Sequence, residues 1–216
     1  MRSSYNAAMS ATRSRSRLSS TPVSKAAPGR PRGVPRQVRI IGGQWKRTPL
    51  AVLDADGLRP TPDRVRETLF NWLGQDLSGF VCLDLFAGSG ALGFEAASRG
   101  ATRVVMVESL PAAVRQLQAV RDKLHAEMVD IRAGDALGHL ASCLPGTFDV
   151  IFIDPPFGSP LAAQALAAAV SRLKPGGLLY LESGEDMSAA LPEGLEIVRY
   201  LHAGMVHAHL LAAKTS

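Results

Sequence analysis

VCLDLFAGSGALG, Val81 to Gly93, is the stretch whose reading decides the fold. An alternating apolar run ends at Asp84, passes through a glycine-rich turn and opens directly into the helical pattern Ala91 to Ser98. Strand, tight loop and helix in that order build the nucleotide-type cofactor site of a doubly wound α/β sheet. Glycine lets the backbone approach a ligand closely, and a helix start offers N–H groups that have no partner within the helix. Gly88, Gly90 and Gly93 by themselves leave a dinucleotide oxidoreductase open, because it uses the same spacing.

A second stretch, FDVIFIDPPF from Phe148 to Phe157, separates the two readings. It is a buried-strand pattern that stops at Asp154-Pro155-Pro156. Two prolines cannot continue a central strand, so the acid is presented at the strand's carboxyl end, the edge where open α/β sheets collect ligands. Together with Asp84-Leu85-Phe86-Ala87-Gly88-Ser89-Gly90, this Asp-Pro-Pro-Phe element resembles the methyltransferases that modify exocyclic or amide nitrogens with S-adenosylmethionine. The resemblance implies a Rossmann-like class I methyltransferase fold, α/β, with a doubly wound, mostly parallel seven-stranded sheet. It implies that Asp84, Phe86, Ala87, Gly88, Ser89 and Gly90 bind the cofactor, and that Asp154, Pro155, Pro156 and Phe157 do the chemistry. Oxidoreductases have no use for the Pro-Pro-aromatic element.

Composition bounds the class. The 216 residues, 46% hydrophobic, suit one domain with an appendage, and no apolar run approaches the roughly 20 residues of a membrane helix. Cys82 and Cys143 stand in no metal-ligand spacing and form no disulfide framework, so both are expected to be buried thiols in a reducing compartment. The net charge of +5 is unevenly spread: Met1 to Arg39 holds nine of the 24 Lys and Arg and none of the 19 acids. A mildly acidic domain with a cationic arm suits a polyanionic partner held by salt-sensitive phosphate contacts.

Residues 1–37, rich in Ser, Arg, Ala and Pro and without periodicity, read as a disordered basic tail. They lack the apolar segment of a secretion signal. An organellar transit peptide and an RNA-wrapping arm both fit. From Val38 the pattern becomes a short hairpin turned at Gly42-Gly43, followed by a helix with Thr61 as N-cap and Pro62 at its first position. Val65, Leu69, Trp72 and Leu73 form that helix's apolar stripe. Basic residues gather around Trp45, and Arg39, Lys46, Arg47, Arg59, Arg64 and Arg66 with Trp45 read as an RNA contact surface, the alternative being a solvated helix face. Here the resemblance narrows. Arg39-Ile40-Ile41-Gly42-Gly43, Gly57-Leu58-Arg59-Pro60-Thr61 and Asp63 to Leu73 are similar to the amino-terminal signature of the RsmD family, and the similarity continues through Leu83–Ala101 to Phe157. It implies methylation of the N2 amine of one guanine in 16S ribosomal RNA, within a partly assembled small subunit. Residues 38–75 would then be an RNA-contact extension and 76–216 the catalytic domain, in a cytoplasmic protein without a metal or a membrane.

Arg103 to Glu108 is the next strand, and Glu108 lies about 20 residues past the first motif glycine, where a carboxylate accepts hydrogen bonds from ribose hydroxyls. A helix from Pro111 to Ala126 and a strand from Met128 to Arg132 follow, delivering Gly134-Asp135-Ala136 to the same edge. Similarity to methyltransferases gives Asp135 the adenine amine and Ala136 the ring. Asp135 also suits a helix cap, and the two uses are compatible. A helix from Leu161 to Leu173 stops at Lys174-Pro175-Gly176-Gly177, and Gly177 to Glu182, Leu195 to Tyr200 and Met205 to Ala213 are strands, the last two an antiparallel closing pair. His207 and His209, without acidic or thiol companions, read as surface polar residues, not metal ligands. Where the family often has a tyrosine in its final strand, this chain has Val206-His207-Ala208-His209.

An exocyclic guanine amine is a poor nucleophile because its lone pair is delocalised into the ring. Asp154 and the Pro155 carbonyl would accept its two hydrogens, and Phe157 would stack on the base. An adenine-N6 or glutamine-N5 methyltransferase is the near alternative, although those relatives commonly carry Asn-Pro-Pro-Tyr. A nicotinamide-dependent oxidoreductase and a non-catalytic RNA-binding protein are the alternatives from other classes.

Overall fold

The structure is a computed structural model describing residues 37–53 and 61–214. Residues 1–36 of the expected tail therefore lie outside the described residues, as does Arg59, while Gln37 already belongs to the first strand. The chain opens with two short antiparallel strands, β1 (Gln37–Arg39) and β2 (Pro49–Ala51), and a helix, α1 (Asp63–Trp72). Then come β3 (Val81–Asp84), α2 (Ala91–Ser98), β4 (Arg103–Glu108), α3 (Pro111–Leu124), β5 (Val129–Ala133) and α4 (Ala136–Ser142). The second half comprises β6 (Phe148–Ile153), α5 (Leu161–Ala169), β7 (Leu173–Ser183), β8 (Leu195–Ala203) and β9 (Val206–Ala213).

The seven-stranded sheet has the order β5-β4-β3-β6-β7-β9-β8. Strands β3 to β7 run parallel, while β9 pairs antiparallel with β7 and with β8. The expected closing pair is there. From β3 the chain winds outward through β4 and β5, then returns to lay β6 on the other side of β3. That reversal opens a crevice between the carboxyl ends of β3 and β6, where doubly wound sheets bind ligands.

Each face of the sheet buries its own core. Cys82, Val104, Met106, Val150, Phe152 and Tyr180 point to one side and pack with α1 and α2; Leu83, Val105, Ile151, Ile153, Leu179 and Leu181 point to the other and pack with α4 and α5. Alternation along each strand produces this division. On the first side the rings of Phe70, Phe152 and Tyr180 form a chain, with centroids 6.1 and 6.4 Å apart. Helix α1 thus buries Val65, Leu69 and Phe70, with Leu73 buried just past its end, while Trp72 is only half-buried, so Phe70 holds the place the periodicity gave to Trp72. Removing each such side chain from water contributes about 1.5–3 kcal/mol.

Three local expectations are corrected. Helix α1 is preceded by Pro62 as N-cap, and Thr61 makes no cap bond because its hydroxyl is engaged elsewhere. Helix α5 stops at Ala169, a 3-10 turn covers Val170–Arg172, and Lys174-Pro175-Gly176-Gly177 belongs to an irregular start of β7, whose register against β6 shifts between Phe148 and Val150. His209 is fully buried instead of lying at the surface, its ring packed against Asp186 and the Met187 backbone. Burial pushes the Cys82 thiol up to about 12.

Candidate active site

The glycine loop, which continues β3, is fastened to the two strands on either side of it. Leu85 N–H donates to the Phe152 carbonyl in β6, and Ala87 N–H to the Val107 carbonyl in β4. Gly90 N–H closes the turn onto the Ala87 carbonyl at 2.6 Å. Gly90 has φ +82°, and a Cβ there would lie 2.5 Å from the Phe94 ring and 2.7 Å from Leu117, so the loop's tightness requires glycine. Phe86, Gly88 and Ser89 are half-buried on this loop, while Ala87 is buried.

Asp84 ends β3 with 1% of its surface exposed. Its Oδ2 accepts the Gly93 N–H at 2.9 Å, which welds the strand end to the first turn of α2, and Oδ1 is buried without a hydrogen-bond partner. Burial, more than any neighbour, raises its pKa to about 7. Asp84 thus braces the cofactor loop from behind, through the first turn of α2. Glu108 ends β4 half-buried; Oε2 accepts the Gly88 N–H and Oε1 the Leu110 N–H, both at 2.8 Å. Each carboxylate oxygen keeps a second acceptor site. Asp135, exposed past the end of β5, caps α4 through Gly138 N–H at 2.8 Å, and the Ala136 side chain is buried so that only its backbone is free to meet a ligand.

Asp154 follows β6, one strand from Asp84, since Asp84 pairs with Phe152 in register. It is half-buried, and the Thr61 hydroxyl donates to its Oδ2 at 3.2 Å. Burial, then the neighbouring carboxyls of Glu182 and Asp84, hold its pKa well above the ordinary range against the opposing Thr61 bond. Pro155 is buried, Pro156 and Phe157 are exposed, and the Phe157 ring lies beside Gly184 at the end of β7. The rim thus collects the Gly88–Gly90 loop, Glu108, Asp135 and Asp154, as the sequence spacing required.

Glu182 is the residue that sequence reasoning missed. It is 2% exposed on β7, accepts the Tyr180 hydroxyl at 3.0 Å, and burial raises its pKa to about 7, with bonds from Thr61 and Tyr180 and the Arg66 charge opposing. Its signal was available: acids close β3 at Asp84 and β4 at Glu108, Asp154 comes directly after β6, and Glu182 is the penultimate residue of β7.

The basic surface divides. Lys46, Arg47 and Arg64 are exposed, as is Arg39, whose guanidinium reaches Asp63 at 3.3 Å; Trp45 is half-buried. Arg66 is different. It is fully buried, donating to Asp63 at 2.6 Å and to the Arg39 carbonyl at 2.9 Å, with Glu95 at 3.8 Å, so the expectation that it touches RNA is corrected: an amphipathic helix carried it inward to a buried acid. That acid, Glu95 of α2, also accepts the Ile41 and Gly42 N–H groups at 2.6 and 2.8 Å. Ser98 takes the Trp45 and Gln44 N–H groups through its hydroxyl and carbonyl. Gly43, at φ +72°, butts against the Ser98 carbonyl, where any Cβ would collide. Gly42 and Gly43 therefore begin the hairpin's connection and also seat it on α2. Among the described residues no cluster of three or more His, Cys, Asp or Glu could hold a metal, and no helix is long and apolar enough to cross a membrane.

The chain matches the protein family described as Conserved hypothetical protein 95 over residues 38–212. It is 41% identical over 177 residues to the ribosomal RNA small subunit methyltransferase D of Haemophilus influenzae, covering 79% of this chain and 91% of that protein. The solved structure of yhhF from Escherichia coli is 36% identical with a TM-score of 0.72, covering 83% of this chain and 99% of the other. A 16S rRNA N2 methyltransferase of Thermus thermophilus, solved with AdoMet and guanosine, is 26% identical with a TM-score of 0.63, covering 83% of this chain and 50% of the other.

Proposed function

The chain belongs to the RsmD family, and from that premise we propose that it transfers the methyl group of S-adenosylmethionine to the exocyclic N2 amine of a guanine in 16S ribosomal RNA. The relative from Haemophilus influenzae is named for small-subunit ribosomal RNA, and the Thermus thermophilus neighbour for N2 methylation of 16S rRNA. The observation that carries the reading is the placement of Asp154 and the Gly88–Gly90 loop at the carboxyl ends of adjacent strands.

The rim suits the cofactor chemically. Glu108 has lone pairs left for ribose hydroxyls, Asp135 and the Ala136 backbone for the adenine, and the loop's backbone for the amino-acid end. Asp84, Asp154 and Glu182 are acids of raised pKa, and a cationic donor beside them would favour their charged forms. When bound, S-adenosylmethionine supplies an electrophilic methyl on a sulfonium. The chain's own groups prepare the nucleophile. Asp154 and the Pro155 carbonyl accept the two amine hydrogens, which draws the nitrogen lone pair out of conjugation and aims it at the methyl. Pro155-Pro156 fixes the angle between those acceptors, and Phe157 offers its exposed face to the base. As positive charge grows on nitrogen, the Asp154 carboxylate stabilises it.

A paired base could not enter such a pocket, so the guanine is unpaired or flipped. Arg39, Trp45, Lys46, Arg47 and Arg64, on the extension formed by residues 38–75, would hold the RNA backbone before the catalytic domain of residues 76–216. Arg59 is assigned there by sequence alone. The substrate is the RNA within a small-subunit assembly, in the cytoplasm, as the family resemblance implies. Asp-Pro-Pro-Phe in place of Asn-Pro-Pro-Tyr counts against adenine or glutamine amides. Mass mapping of ribosomal RNA from cells lacking the gene tests the reading: a single guanine lacking its N2 methyl, restored by the wild-type chain and not by Asp154→Ala, is the expected result. Full methylation in the deletion strain overturns it.

A further inference from the structure

The last two strands carry four rings that the methyl-transfer chemistry does not use. Strand β8 is the edge of the sheet, and its register against β9 shifts between Ile197 and Arg199. A one-residue slip moves every later side chain to the other face. Before it, Leu195 and Ile197 share the face of Leu211; after it, Tyr200 lies opposite His209 and His202 opposite His207. By alternation along β9, His207 and His209 also share the face of Leu211, while Val206, Ala208 and Leu210 pack into the opposite core. All four rings therefore stand on one face.

They form a ladder. At its foot the fully buried His209 ring is held by Asp186 at 3.2 Å and lies 5.0 Å from the Tyr200 ring. Tyr200 Oη is 2.7 Å from His207 Nδ1, and the His207 ring stacks on His202 with centroids 4.2 Å apart and planes 22° from parallel. His202 Nε2 donates to the Gly204 carbonyl at 2.9 Å. The rings are thus held in place before a partner arrives, so docking against them costs little side-chain entropy. Tyr200 and His202 are exposed, and among the described residues no strand lies beyond β8, so the face of His202 turned away from His207 is open. Edge strands are ordinarily guarded by charge. On this face β8 presents Leu195, Ile197, Tyr200 and His202 instead.

Position and chemistry name the occupant. Ser183, the last residue of β7, pairs with His207, and the next residue, Gly184, lies against the Phe157 ring. The ladder therefore begins one strand from the end of β7 and reaches β8, three strands or about 14 Å from β6. Unpaired RNA bases stack on Tyr and His rings, and sheet faces bearing such rings bind single strands in this way. Asp186, the acid in contact with the ladder, repels phosphate, so the surface suits a base and not the backbone.

We propose that His202, braced by His207 and Tyr200, is a stacking platform for an unpaired nucleotide flanking the target guanine. The inference rests on the RNA methyltransferase reading above and adds a second RNA contact to that of the extension. The base continues the column of His207 and His202 outward from the sheet edge.

The experiment measures binding of the full chain to small-subunit particles from cells lacking the gene, at several salt concentrations. His202→Ala weakens the affinity about tenfold. The slope of log affinity against log salt stays unchanged, because stacking releases no counterions. His202→Phe, which keeps a flat ring, binds within about threefold of wild type. Cofactor affinity and melting temperature match wild type in both variants, which shows the fold intact. Wild-type affinity in His202→Ala overturns the proposal, as does a His202→Phe variant no stronger than His202→Ala. A slope reduced by about 1 in His202→Ala also overturns it, since the imidazole is then a phosphate contact. Wild type that binds the particles but transfers no methyl group overturns the functional reading alone, while the affinities still judge the platform.

Discussion

Arg66 and Glu95 meet inside the protein, Nη1 of one 3.8 Å from Oε2 of the other, and neither side chain has any solvent exposure. The contact joins the helix that precedes the sheet to the helix that follows the glycine loop. Glu95 further binds Arg99 at 2.8 Å and two backbone N–H groups of the hairpin, so a single carboxylate fixes the extension to the cofactor-loop helix. Removing one partner leaves the other charge buried and uncompensated. Arg66→Ala is expected to destabilise the fold by about 3–5 kcal/mol. Arg64→Ala, at an exposed position on the same helix, is expected to change stability by no more than about 0.5 kcal/mol. Urea denaturation of the two variants checks the contrast; equal stabilities would remove Glu95 as the anchor.

The exposed cations of the extension make a prediction about salt. Lys46→Ala, Arg47→Ala and Arg64→Ala should each weaken RNA binding and reduce the slope of log affinity against log salt by about 1. Cofactor affinity should not move. Binding isotherms at several salt concentrations measure this, and an unchanged slope in the triple variant places the RNA on another surface.

Buried acids make the cofactor-free protein less stable as pH rises. Asp84 and Glu182 have folded pKa values of about 7, above the ordinary carboxylate range of the unfolded chain. Between about pH 4 and pH 7 the folded state holds protons that the unfolded state has released, so stability falls as pH climbs through that window and levels off above it. His139, held below its usual value by burial, acts in the opposite direction near neutrality. Asp186, lowered to about 2 chiefly by Ser188, loses its contribution only as pH drops from about 4 toward 2. The comparison with Asp84→Asn isolates the effect: the variant's melting temperature should fall less than that of wild type between pH 5 and pH 8.

A cation placed among those acids should discharge protons. Binding of S-adenosylmethionine near pH 7 is expected to release protons, and binding of its neutral thioether product to release fewer. Calorimetry in buffers of different ionisation enthalpy reads both numbers. Equal release with the two ligands would mean that the acids do not sense the sulfonium charge.

Gly90→Ala tests the loop. The substitution combines a left-handed φ with a Cβ that lies 2.5 Å from Phe94 and 2.7 Å from Leu117. A destabilisation of about 1–3 kcal/mol and loss of cofactor binding are expected. Thermal melts and ligand titrations of the variant supply the answer; an unaffected cofactor affinity would show that the turn's geometry does not govern the site.

The chain's local order determined the sheet and its ligand edge. An apolar alternation that ends in an acid, a glycine turn and a helix start can be satisfied locally by strand, loop and helix, and Pro155-Pro156 must stop β6 where it stops. Those constraints act over a few residues, so they are legible without knowing the neighbours. Which arginine faces water is not such a property: Arg64 and Arg66 differ only in which side of α1 they occupy, and Glu95, far along the chain, draws Arg66 inside. The same holds for Thr61, whose hydroxyl leaves the helix cap for Asp154, and for Glu182, which becomes a buried neighbour of Asp154 because β7 lies beside β6. Tertiary packing alone decides these, because burial and a partner brought from a distant segment set the energy of a charged side chain, and neither is written in its immediate sequence.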